Sequence, residues 1–134
     1  RDKLEQGIMA AIPEVKLNGH PEKRLPNTLN VSFAYIEGES ILLNFDMKGI
    51  AASSGSACTS GSLEPSHVMC AMCVDVVLAH SSTRFSLGPD NTEADVDFIL
   101  QELPPIVERL REMSPLYNND ARMTCKQCKV VCRA

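Results

Sequence analysis

The longest periodic run in the chain does most to limit what it can fold into. Val96, Ile99, Leu100, Leu103, Val107 and Leu110 recur at helical spacing, so a long helix with one apolar face must lie on another layer. Thr92-Glu93-Ala94-Asp95 ahead of it resembles a capping box, with Asp95 in place of the usual Glu or Gln. Pro104-Pro105 within it predicts a kink or a restart. A second helical pattern, Leu4, Ile8, Met9, Ala11 and Ile12, stops at Pro13, and a third over 39–47 stops at Gly49. The strand signals are all short: Val15 with Leu17, then Leu29, Val31 and Phe33, then 50–52, then 83–87 with Phe85 and Leu87 on one face. Asn18-Gly19-His20-Pro21 is turn-rich, and Ser66 is placed to cap a short helix from His67. Short strands interleaved with one-faced helices predict an α+β fold: a two-layer sandwich, with a small mixed or antiparallel sheet and helices packed on one face.

A length of 134 residues, 44% hydrophobic and 22% charged, suits one modest soluble domain. No apolar run is long enough for a membrane span, and the acidic balance, net −4 with a pI near 5.3, argues against nucleic acid as a partner. The charge is uneven. Arg122, Lys126, Lys129 and Arg133 stand in a tail without acids, beside Cys125, Cys128 and Cys132. Residues 1–117 therefore read as the folded body and 118–134 as a flexible, basic, cysteine-rich tail. A first residue of Arg1 suggests a piece of something longer.

The six cysteines carry most of the chemical information. Cys58 stands in Ser53-Ser54-Gly55-Ser56-Ala57-Cys58-Thr59-Ser60-Gly61-Ser62, a stretch with nothing to anchor it to a core, which predicts a mobile loop presenting an exposed thiol. That fits a sulfur nucleophile that must swing between two places; the plainer alternative is an incidental linker thiol. His67 and His80 are possible proton partners, although a helix-start or core histidine is the commoner reading. Cys70-x-x-Cys73 and Cys125-x-x-Cys128 have the spacing of a four-thiolate metal site. Against that, Cys70 and Cys73 lie in a helical stretch beside Met69 and Met72, where cysteine is ordinary packing.

From Leu25 onward a resemblance emerges. Leu25-Pro26-Asn27-Thr28-Leu29-Asn30-Val31-Ser32-Phe33, Gly38-Glu39-Ser40, the run from Ser53 to Val68, Ala79-His80, Arg84-Phe85-Ser86-Leu87-Gly88, Thr92-Glu93 and Leu110 through Leu116 are similar to the carboxy-terminal part of cysteine desulfurases of the NifS/IscS type. The resemblance implies the small domain of an aminotransferase-like, pyridoxal phosphate-dependent dimer. In that family L-cysteine becomes L-alanine, and an enzyme persulfide passes to an iron–sulfur scaffold protein or another sulfur acceptor. On this resemblance Cys58 matches the catalytic, persulfide-carrying nucleophile. Arg84 matches the substrate-binding arginine that pairs with the cysteine carboxylate.

The resemblance also shows what to expect elsewhere. The cofactor lysine and phosphate-binding residues belong to a large domain, and Lys3, Lys16, Lys23, Lys48, Lys126 and Lys129 all fall outside the family's lysine motif. This chain alone is thus expected to hold no cofactor and to be inactive by itself. Pro89-Asp90 replace the arginine usual after Gly88, and Cys70 and Cys73 stand where leucine and glycine are common. Two other readings stay open: a non-catalytic sulfur carrier or docking module, and a cysteine-rich metal-binding protein. Thiols without a secretory signal suit a cytoplasm or an organelle matrix.

Overall fold

The structure, a computed structural model, describes residues 1–54 and 66–119. Helix α1 (Asp2–Ala11) leads into β1 (Val15–Leu17), β2 (Thr28–Phe33) and α2 (Gly38–Asp46). Strand β3 (Ser53–Ser54) follows, then α3 (His67–Ala71), α4 (Val76–His80), β4 (Ser82–Ser86), α5 (Glu93–Met113) and α6 (Pro115–Asn119). The four strands form one antiparallel sheet in the order β1-β2-β4-β3. The expected α+β class holds. Among the described residues no helix is long and apolar enough to cross a membrane.

The register explains which side chains share a face. Leu29 stands opposite Phe85 and Val31 opposite Thr83, so these four and Phe33 project to one side. That side is closed by α1, α2 and α5: Leu4, Ile8, Ile41, Phe45, Val96, Leu103, Ile106 and Val107 complete one core. Phe45 meets Phe85 edge-on, ring centroids 6.0 Å apart. Gly38, the first residue of α2, is buried where a β-carbon would lie 2.5 Å from the Ser82 carbonyl oxygen. The close helix–sheet approach there requires glycine.

Helix α5 opens as the sequence indicates. Thr92 Oγ1 accepts from the Asp95 N–H at 3.3 Å, and the Asp95 carboxylate accepts from the Thr92 N–H at 2.8 Å. The same bond to the Thr92 N–H holds the Asp95 carboxyl below its ordinary range. Pro104 and Pro105 do not restart the helix, which runs through to Met113. Val96 before them and Ile106 and Val107 after them are all buried in the core, and that packing outweighs the missing N–H groups. Near its end, Arg111 is buried and donates to the carbonyls of Ala34 at 3.2 Å and Glu14 at 3.3 Å. It thereby ties down two bends where Glu14 (φ 55) and Tyr35 (φ 71) are left-handed. Burial pushes the Arg111 guanidinium down from its ordinary value.

Three local expectations are corrected. The third strand is Ser53–Ser54 and not 50–52: Ile50 and Ala52 pack against the core, while the serine backbones find partners in β4. Helix α4 is too short for a visible period; Asp75 opens it by accepting from the Val77 N–H at 2.9 Å. Ser66 precedes α3, but its side chain makes no capping bond. α3 ends instead in a Schellman turn, with Val74 N–H donating to Met69 O at 3.0 Å and Cys73 N–H to Cys70 O at 2.9 Å. Met69 and Val74 are buried together with Ala79 in a small second cluster. Cys73 takes the left-handed position (φ 55) that favours glycine. The compositional shift near Asn118-Asn119 falls at the end of α6, and the tail beyond lies outside the described residues.

Candidate functional site

The other face of the sheet is polar. Ser32 and Ser82 are fully buried at one end of it, where Ser32 Oγ donates to Leu78 O at 2.6 Å and Ser82 Oγ to Ala79 O at 2.7 Å. The end of α4 therefore covers that part of the face. Farther along, Asn30 of β2 stands opposite Arg84 of β4, and Arg84 stands opposite Ser53 of β3. Opposed residues of antiparallel strands point to the same side. Asn30, Arg84 and Ser53 thus form a row across three strands, each half-buried.

Asn18 extends the row at the β1 end. Its backbone N–H bonds to Asn30 O at 3.0 Å, continuing the ladder past Leu17, and Gly19 (φ 91) then turns the chain away. The Asn18 side chain is buried and donates through Nδ2 to Asn30 Oδ1 at 2.7 Å and to Ser32 Oγ at 2.8 Å.

Arg84 is the charged member of the row. Its Nε is buried without a hydrogen-bond partner, and among the described residues it has no ion-pair partner. That nitrogen has lost water without gaining a partner, which leaves the guanidinium suited to an incoming anion. Its fork of donors matches a carboxylate. Two shallow hollows, about 390 and 520 Å³, lie elsewhere, beside α5 and α6, and Arg84 borders neither.

Cys58 lies outside the described residues, as do Cys125 and Cys128. The expected mobility of the Cys58 loop falls there too. Both ends of that segment are described, however. Ser54 precedes it, next to the residue opposite Arg84, and Ser66 follows it ahead of α3. Cys70 and Cys73 are exposed at the end of α3, so the expected role in packing does not describe them. Among the described residues no three His, Cys, Asp or Glu side chains converge as a metal site. His67 begins α3 and His80 ends α4, both exposed, so neither is a core histidine.

The described lysines do not fit a cofactor-anchoring role. Lys3 pairs at the surface with Asp97 and Glu93, Lys48 pairs with Glu102, and Lys16 and Lys23 are exposed. Sequence reasoning singled out Arg84 but missed Asn18, Asn30 and Ser53. The available signal was weak: Asn30 sits between the apolar residues Leu29 and Val31, in the polar phase of its strand.

Comparison with known proteins follows the same lines. Residues 1–99 match the family described as aminotransferase class-V. The chain is 59% identical over 121 residues to "Cysteine desulfurase 2" of Trichormus variabilis. It is 56% identical over 120 residues to "Cysteine desulfurase NifS" of Azotobacter vinelandii. Each alignment covers 90% of this chain and 30% of the relative, so the chain spans about 30% of the length of these curated relatives. Among solved structures, a "NifS-like protein" superposes with a TM-score of 0.69 at 34% identity, over 82% of this chain and 26% of that one. A NifS-like protein from Rickettsia africae gives 0.67 at 29% identity, over 80% and 27%.

Proposed function

The chain belongs to the aminotransferase class-V family, and on that premise we propose that it is the sulfur-handling small domain of a cysteine desulfurase. The observation that carries this reading is Arg84: a half-buried guanidinium with a buried, unpartnered Nε, on a polar sheet face that offers it no acid. In this reading Arg84 binds the carboxylate of L-cysteine and sets the orientation of the substrate. Cys58 follows Ser54 by four residues, so covalent geometry keeps its Cα within about 14 Å of Ser54. That reach is compatible with a thiol serving a substrate held at Arg84.

The net reaction balances as L-cysteine plus the Cys58 thiol giving L-alanine plus a Cys58 persulfide, with the substrate carbon–sulfur bond broken and a sulfur–sulfur bond formed. The persulfide then passes to an iron–sulfur scaffold protein or another sulfur acceptor. Pyridoxal phosphate supplies the electron sink in the complete enzyme. In this reading its attachment lies in a large domain, and the whole protein is a homodimer. The setting proposed is a cytoplasm or an organelle matrix.

Two measurements test the reading. The full chain, incubated with L-cysteine and a complete desulfurase, should gain about 32 Da on Cys58 as a persulfide, and Cys58→Ser should abolish the gain. The segment exchanged into the Azotobacter vinelandii relative should support alanine release, and Arg84→Gln in that chimera should raise KM for cysteine. A folded, cofactor-loaded chimera that releases no alanine overturns the enzyme reading. Labelling of Cys58 in that case leaves the chain as a sulfur carrier.

A further inference from the structure

The polarity of the hydrogen bonds on the open sheet face can be worked out from one end. Ser32 Oγ has a single proton and donates it to Leu78 O at 2.6 Å. Toward Asn18 it can therefore only accept. Asn18 must turn its amide nitrogen to Ser32, at 2.8 Å, and that nitrogen also reaches the Asn30 side chain at 2.7 Å. Asn30 then has to present its oxygen to Asn18. The orientation of the Asn30 amide is set by this chain of bonds and not by its own preference.

The strand order says where the other end of that amide points. β2 lies between β1 and β4. Asn18 is on the β1 side, and Arg84 is directly opposite Asn30 on the β4 side. With the Asn30 oxygen committed toward β1, its NH2 lies on the side of Arg84. Side chains so opposed have β-carbons roughly 5 Å apart. Two donor groups, the amide and the guanidinium, stand next to each other, and the Arg84 Nε is buried without an acceptor. A buried donor without an acceptor is unfavourable, and an anion that satisfied the Arg84 Nε would also meet the Asn30 amide beside it.

We propose that Asn30 is a second substrate-binding residue, whose side-chain amide donates beside Arg84 to the α-carboxylate of the amino-acid substrate. Asn18 and Ser32 are positioning residues that set the Asn30 amide. The proposal rests on the reading of Arg84 as carboxylate anchor and adds to it a donor of defined direction. A planar carboxylate can take one oxygen to each donor group, which fixes the plane of the substrate as well as its position.

The test uses the full chain, labelled with nitrogen-15, titrated with L-alanine and separately with inorganic phosphate while the side-chain signals of Asn30 and Arg84 are followed by NMR. Both signals should move together and saturably with L-alanine. Asn30→Asp keeps the oxygen that Asn18 needs but replaces the donor with a carboxylate. It should weaken the Arg84 response by about tenfold or more, as expected for losing a bond to a charged group and for a carboxylate that competes for Arg84, while the melting temperature does not fall. Asn18→Ala should diminish the Asn30 response and leave that of Arg84. If Arg84 responds while Asn30 does not, and Asn30→Asp binds as the parent does, the role of Asn30 falls and that of Arg84 stands. If neither residue responds, both fall. If phosphate moves them as strongly as L-alanine or more so, the assignment to a carboxylate is overturned.

Discussion

The two faces of this sheet are built from alternate residues of the same strands, and they do opposite things. Leu29, Val31, Phe33 and Phe85 face a closed core under α1, α2 and α5. Asn30 and Arg84, one residue away along the same strands, lie on the opposite face. The core face satisfies itself. The open part of the polar face leaves the Arg84 Nε buried without a partner among the described residues. Between them lies Ser32, on the polar side but fully buried and fully used.

The contrast can be broken by substitution. Phe33→Ala empties a fully buried site and should cost about 3–5 kcal/mol in denaturant melts; a loss under about 1 kcal/mol would mean that the core face does not carry the fold. Ser32→Ala leaves Leu78 O with only the Ser81 hydroxyl and Asn18 Nδ2 with only the Asn30 oxygen, and should cost about 1 kcal/mol by the same measurement. Cys73→Gly is expected to stabilise by about 1 kcal/mol, because Cys73 is exposed and holds a left-handed conformation. Arg84→Met should leave stability within about 0.5 kcal/mol or improve it slightly, since among the described residues the guanidinium has no ion-pair partner to lose. A large destabilisation there would make Arg84 a structural residue and erase the distinction between the faces.

The smallest effect concerns pH. The Asp95 carboxyl is held below its ordinary value of 3.8 by the Thr92 N–H. A carboxyl lowered in this way contributes stability above its unfolded pKa and loses it as pH falls through the folded value. Melting temperatures taken from about pH 5 down to pH 2 should fall more for the parent than for Asp95→Asn. Equal slopes would show that the capping carboxylate is thermodynamically silent.

Much of the core was legible because its signals are local. The period of Val96 through Leu110, the alternation of Leu29, Val31 and Phe33, and the capping residues Thr92 and Asp95 all act within one element. Short elements escaped where no period can develop, as in α4, or where backbone pairing outweighed side-chain preference, as in Ser53–Ser54. The continuity of α5 through its proline pair escaped for a related reason. The proline penalty is local, whereas the packing that overcomes it comes from other parts of the chain.

Layer architecture and core residues could be read from the sequence alone, because periodicity is written in neighbouring positions, whereas Arg84 was marked out by the family resemblance. The sequence also singled out Cys58, which lies outside the described residues. Only the tertiary structure decided what surrounds Arg84. Asn18, Asn30, Arg84 and Ser53 are far apart in the chain and meet only through the order and register of four strands. Register is a long-range property: it sets which donors share a face and which of them are left without an acceptor.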